Sequence, residues 1–199
     1  MLRVNTPNKL TVLRVILSPI FLAVLMIEFP FHYLIAGLIF GFAALTDLLD
    51  GRIARSQGLI TNFGKFLDPL ADKTLTTAAL LGFLASGHID VWAVMLVLAR
   101  EFMVASIRLI AAKDGVVVAA SLAGKTKTVA QYVSVLFMIA ALEVSSWQAT
   151  LLSGVSVPSE FFSWMLLAGQ VFIWFSVALT VYSGIEYVWG LRHYFTHSK

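Results

Sequence analysis

Residues 46–74 read TDLLDGRIARSQGLITNFGKFLDPLADKT and hold Asp47, Asp50, Asp68 and Asp72, four of the chain's six aspartates. On helices, Asp47 and Asp50 are three apart and Asp68 and Asp72 four apart, so each pair shares one helix face. Gly64 precedes Asp68 by four and shares its face. Residues 56–63 include Gly58, Thr61 and Asn62 and read as a turn. The two carboxylate pairs are therefore expected to face each other across a helical hairpin. Four carboxylates this close repel, and near a membrane they are tolerated only when protonated, paired or bound to cations. Their hard oxygens favour Mg²⁺ or Mn²⁺. Four of them can hold two ions roughly 3.5–4 Å apart, an arrangement suited to in-line displacement at phosphorus. Gly51 and Gly64 would let a ligand approach the helix backbones, and Arg55 offers a bidentate fork to a phosphate. Pairing with Arg52, Arg55, Lys65 and Lys73 in a solvated hairpin would account for any one of these aspartates, but poorly for the whole set with its glycines. A proton or cation pathway accounts poorly for acids gathered at one surface.

The elements that must position these groups are apolar. The chain has 199 residues, 59% hydrophobic and 13% charged, with a mean hydropathy of +0.89. Soluble domains carry about 25% charged residues, so an integral membrane protein is expected, folded as a single domain over residues 1–199. With no cysteine, disulfides and thiolate chemistry are excluded. Arg14 interrupts the first apolar run and no small-residue cleavage site follows, which argues against a removable signal peptide. The net charge of +3 is small, and no nucleic-acid partner is expected.

A helical span needs roughly 20 mostly apolar residues, and six candidates appear, at residues 10–27, 31–45, 69–85, 91–112, 129–142 and 161–189. Lys and Arg cluster at the N-terminus (Arg3, Lys9, Arg14), around the aspartate stretch, between spans four and five (Arg108, Lys113, Lys125, Lys127) and at the C-terminus (Arg192, Lys199). The three alternate connections contain none. The positive-inside rule then puts both termini and the aspartates on the cytoplasmic side of the inner or plasma membrane. The fold expected is all-α, six transmembrane helices in one bundle. The histidines form no metal constellation, and Tyr33, Trp92, Trp147, Tyr187 and Trp189 read as an aromatic belt at span ends.

The pattern Asp47-x-x-Asp50-Gly51-x-x-Ala54-Arg55, eight residues, Gly64-x-x-x-Asp68-x-x-x-Asp72 resembles the signature of the CDP-alcohol phosphatidyltransferase family, with all eight of its fixed positions filled. Within that family the resemblance extends over most of the chain to the bacterial members that make phosphatidylglycerophosphate, carried by NTPNKLTVLRV, GKFLDPLADK, AREFMVASIRL and GKTKT. It implies transfer of the phosphatidyl group from CDP-diacylglycerol to sn-glycerol 3-phosphate with release of CMP. It implies Asp47, Asp50, Asp68 and Asp72 as ligands of two Mg²⁺ or Mn²⁺ ions, Asp72 also acting as general base. Gly51, Ala54, Arg55, Thr61 and Gly64 would line the CDP site. A homodimer is implied as well; Gly37 and Gly41 form a small-residue pair that could serve close helix contact.

Asn8 and Thr11 read as a helix start, with Asn8 as N-cap, and the resemblance adds contacts to CDP. Glycerol 3-phosphate is a dianion, and the aspartates cannot hold it. Arg100, Arg108, Lys125 and Lys127 are the expected acceptor-phosphate site, with Gly124, Thr126 and Thr128 favouring Lys125 of the two lysines. Arg100 and Glu101 could form a buried structural pair, or Arg100 could point into the substrate cavity. Glu101 and Arg108, seven apart, share a helix face. Rival acceptors are inositol phosphate, serine or phosphatidylglycerol; a cation transporter would need polar residues continuing through the bilayer midplane.

Overall fold

The computed structural model describes residues 6–57, 62–113, 121–147, 158–190 and 192. These form six helices, α1 (Thr6–Met26), α2 (His32–Gln57), α3 (Asn62–Ala85), α4 (Val91–Lys113), α5 (Leu122–Trp147) and α6 (Ser159–Gly190), with no strand among the described residues. Helix α1 packs against α2 and α3, α5 against α2 and α6, and α4 chiefly against α6. The core holds Phe21, Phe40, Leu75, Leu80, Phe83, Val135, Met138, Ile173 and Val177. Phe40 sits between Phe21 and Tyr132, with ring centroids at 5.5 and 5.7 Å. The bundle is tightest where side chains are missing. A Cβ on Gly82 would fall 2.4 Å from Leu25 of α1, and one on Gly169 would fall 2.8 Å from Met138 of α5.

Helix ends follow local chemistry. Gly87, with φ of 72°, closes α3 in a Schellman motif: its N–H donates to Leu84 O and that of His88 to Phe83 O. Asp90 caps α4, its carboxylate accepting from Trp92 N–H at 2.8 Å. Ser121 caps α5 through Gly124 N–H at 3.1 Å. The start of α2 is capped from a distance: Leu34 N–H donates to Glu143 Oε2 at 2.9 Å, and Trp147 Nε1 to Oε1 at 2.8 Å.

Several boundaries differ from the sequence expectation. Helix α1 begins at Thr6, so Asn8 lies in its first turn rather than at the cap. The turn expected over 56–63 is invaded from both sides, since α2 runs to Gln57 and α3 starts at Asn62. Helix α5 begins at Leu122, so GKTKT is helical instead of preceding the span. A Cβ on Gly37 would fall 3.2 Å from Ile139 Cγ2 of its own chain, whereas one on Gly41 would meet no atom within 4 Å. Helices α5 and α6 are long and apolar enough to cross a membrane. At 32 residues α6 spans about 48 Å, more than the roughly 30 Å hydrocarbon core.

Candidate active site

Asp47 and Asp50 lie on α2, Asp68 and Asp72 on α3. Only four residues, 58–61, separate the helices, and so short a link joins antiparallel neighbours. Asp47 stands ten residues before the end of α2 and Asp72 ten after the start of α3, each about 15 Å from the connection. Asp50 and Asp68, at seven and six residues, stand about 10 Å from it. The two pairs thus occupy matched heights on consecutive helices. Gly51, Ala54 and Arg55 share the same stretch of α2, and Gly64 opens α3. Asn8 lies on α1. The side chains of these residues, and Thr61 altogether, fall outside the described residues. Thr11 of α1 is buried.

Lys73, next to Asp72, leads into a polar cluster. Its Nζ donates to Glu101 O at 3.2 Å and lies 3.5 Å from Oε2 of the same residue. Glu101 Oε1 accepts from Arg100 Nη1 at 3.2 Å and from Lys127 Nζ. Arg100 Nη2 donates to Ser183 Oγ of α6 at 2.6 Å. Arg100 is 8% exposed and its Nε–H meets no acceptor among the described residues; a buried donor left unmet costs about 1–3 kcal/mol, more on a cation. Its aliphatic stem passes Gly184, where a Cβ would stand 2.9 Å from Arg100 Cγ. Beside it, Ala99, Met103, Val181, Ile185, Val188 and Trp189 help line a cavity of about 530 Å³ between α4 and α6. Of the two readings of Arg100, the pairing with Glu101 is present; the cavity it lines is apolar apart from Arg100 and Arg192.

The other two acceptor-site candidates behave differently. Arg108 does not join Glu101. Its Nε donates to Tyr187 Oη at 3.0 Å, and its guanidinium stands 5.4 Å from the ring centroid. Seven residues are two helical turns, about 10 Å, too far for contact along α4. Lys125 is exposed, while Lys127 is buried on the stripe with Gln131 and Ser134 that α5 turns inward. Of the two lysines, the one favoured from sequence is the solvent-facing one. Ser183, which anchors Arg100, was not among the expected site residues. Lys127 was expected beside Lys125 but ranked below it; its i, i+4 spacing with Gln131 was the available signal that it faces inward. Ser121 Oγ, which caps α5, also donates to Glu186 Oε2 of α6 at 3.1 Å.

The sequence matches the family model for CDP-alcohol phosphatidyltransferase over residues 4–182. The chain belongs to the CDP-alcohol phosphatidyltransferase family. It is thus an enzyme of this transferase class, with the family's eight signature residues placed on α2 and α3. Among its relatives is the CDP-diacylglycerol--glycerol-3-phosphate 3-phosphatidyltransferase of Bacillus subtilis (strain 168), 38% identical over 195 residues, covering 92% of this chain and 93% of that protein. The protein of the same name from Rickettsia bellii (strain RML369-C) is 32% identical, covering 96% and 97%. A probable phosphatidylglycerophosphate synthase of Mycobacterium tuberculosis (strain ATCC 25618 / H37Rv) is 36% identical, covering 92% and 80%.

Proposed function

We propose that the chain is a six-span, single-domain enzyme of the cell membrane, with both termini and the active site on the cytoplasmic side, that transfers the phosphatidyl group of CDP-diacylglycerol to sn-glycerol 3-phosphate. The products are phosphatidylglycerophosphate and CMP. The observation that carries this reading is the complete aspartate motif at matched heights on two consecutive helices, in a chain whose relatives of that name match nearly end to end. The distribution of Lys and Arg supports the topology. Exposed Leu38, Phe42, Leu45, Trp92, Phe102 and Leu109 suit a lipid surround. The reading includes a homodimer.

The donor set fits two Mg²⁺ or Mn²⁺ ions, because four carboxylates on facing stretches offer hard oxygens and nothing softer. Asp47, Asp50, Asp68 and Asp72 would hold them, and when bound they neutralise diphosphate charge and lower the pKa of the acceptor hydroxyl. In the transfer, the glycerol oxygen forms a bond to the phosphorus that bears diacylglycerol, the bond from that phosphorus to the CMP oxygen breaks, and CMP leaves with the electron pair. Asp72 takes the hydroxyl proton on a carboxylate oxygen; as a weak base beside cations, it acts through placement. Gly51, Ala54 and Gly64 leave room for CDP along the helix backbones, with Asn8, Thr11 and Thr61 at its margins, and Arg55 grips a phosphate. Arg100, Arg108 and Lys125 receive the acceptor phosphate, with Lys127, which shares Glu101 with Arg100, beside them.

The test is an acceptor panel on purified protein with CDP-diacylglycerol, scoring CMP release and the lipid formed. Glycerol 3-phosphate should support turnover well above inositol phosphate, serine or phosphatidylglycerol. Turnover only with another acceptor would retain the chemistry and overturn the substrate; no CMP with any acceptor would overturn the reading.

A further inference from the structure

Lys73 follows Asp72 directly in α3 and reaches α4 twice, through Glu101 O at 3.2 Å and Glu101 Oε2 at 3.5 Å. The second carboxylate oxygen of Glu101 takes Arg100 and Lys127. One side chain, 14% exposed, therefore joins α3, α4 and α5, and Arg100 extends the link to Ser183 of α6. The outer half of α3 is fixed differently, by Leu22 and Leu25 packed around Gly82. Gly82 is nine residues from Lys73, about 14 Å along the helix, so that contact does not set the turn bearing Asp72. Among the described residues, the ion pair at Glu101 is the polar attachment of α3 nearest to that turn. Buried charge networks of this kind are poor sources of stability but good at fixing one register.

We infer that Glu101 is a positioning residue for the transfer reaction: through Lys73 it sets the height and rotation of the α3 turn that carries Asp72, and it ties that turn to the cations that receive the acceptor phosphate. This rests on the proposed function in taking Asp72 as proton acceptor and the Arg100 cluster as the phosphate site. Glu101 itself touches no reacting atom. A phosphate that draws Arg100 and Lys127 toward itself acts on the same carboxylate that holds Lys73. Acceptor binding and placement of Asp72 are thereby coupled through one group.

The experiment compares the wild-type full chain with Glu101→Gln, Lys73→Met, the double variant and Lys73→Arg, by CMP-release kinetics, thermal unfolding and amide hydrogen exchange. A misplacement of about 1 Å can cost about 10²-fold in rate. Glu101→Gln and Lys73→Met should each lower kcat by about 10–100-fold with KM for CDP-diacylglycerol within about twofold. The double variant should be no slower than Glu101→Gln, and Lys73→Arg should stay near wild type. Exchange across residues 64–74 should quicken in Glu101→Gln while residues 78–84 keep their protection. Glycerol 3-phosphate should slow exchange at 64–74 in wild type but not in Glu101→Gln. Losses that multiply in the double variant, or unchanged exchange at 64–74, would overturn the inference. Should Glu101→Gln fail to fold, Lys73→Met decides, since Lys73 lies at the exposed edge of the network; wild-type kcat and exchange there would overturn it. A wild type silent with every acceptor overturns the proposed function instead, and the exchange comparison still judges Glu101.

Discussion

Arg100 shows how a charge is kept inside an apolar bundle. Its guanidinium meets Glu101 on one side and Ser183 on the other, while Gly184 makes room for its stem. Its Nε–H meets no acceptor among the described residues, which is consistent with the proposed role in receiving the acceptor phosphate. At this scale the proposed chemistry makes three predictions. Asp68→Asn and Asp72→Asn should each lower CMP release by at least about 10²–10⁴-fold while the protein still inserts and keeps its unfolding midpoint. Chelation by EDTA should likewise stop the wild type, and added Mg²⁺ or Mn²⁺ should restore it; a chelator-resistant rate would remove the metal from the mechanism. Arg108→Ala should raise the KM for glycerol 3-phosphate about tenfold, the loss of one charged hydrogen bond of about 1.5 kcal/mol, and that for CDP-diacylglycerol much less. Equal shifts in both would take Arg108 out of the acceptor site. The aspartates could be read from spacing because their pattern is local. Lys127 could not be singled out in the same way. Lys125 and Lys127 are two apart and face different sides of α5, and only the buried row through Gln131, Ser134 and Met138 shows which side is inward.

Among the elements, α4 and α6 meet through the least forgiving contact near the site. A Cβ at Gly184 would lie 2.9 Å from Arg100 Cγ and 3.2 Å from Met103 Cε, and Arg100 Cγ is near the root of its side chain, so it cannot swing clear. Gly184→Ala should cost about 1–3 kcal/mol by overpacking, read as a fall of about 2–4 °C per kcal/mol in the unfolding midpoint in detergent. The KM for glycerol 3-phosphate should rise with it as Arg100 shifts. An unchanged midpoint would mean that α4 and α6 separate more easily than their contact implies. The helices themselves were legible as apolar runs, and α2 was expected to continue through the aspartates, as it does. Boundaries were less so. The apolar run of the fifth helix starts at Val129, but Ser121 supplies an N-cap and the polar turn after it stays helical because Lys127 is held by Glu101. Polar residues satisfied by distant partners give no signal along the chain.

For the whole molecule, six helices in one chain were legible because each apolar run is bounded by polar or turn residues, and the described structure has six. The number that crosses the membrane is a separate matter. Helices α5 and α6 qualify by length and apolarity, whereas α4 carries Arg100, Glu101 and Arg108 within its run. Six crossings are testable because the chain has no cysteine. In intact cells an impermeant thiol reagent should label Ser86→Cys, in the α3–α4 connection, and label Lys199→Cys only after permeabilisation. The reverse pattern would invert the topology.

The cap that Glu143 places on α2 has a consequence for how the chain is made. Its partner, Leu34 N–H, lies 109 residues earlier. Glu143 lies 86 residues beyond the end of α2, so at a synthesis rate of about 5–20 residues per second α2 is complete for roughly 4–17 s before its cap exists. During that interval Leu34 N–H must find its acceptor in water or a lipid headgroup, while His32 and Ile35 N–H donate to Phe29 and Phe31 O nearby. The early hairpin is therefore an unfinished piece, one of whose end amides is satisfied only by a late helix. A ribosome stalled before Glu143 emerges should leave α2 with a frayed, protease-sensitive start, and one stalled after α5 has inserted should leave it closed.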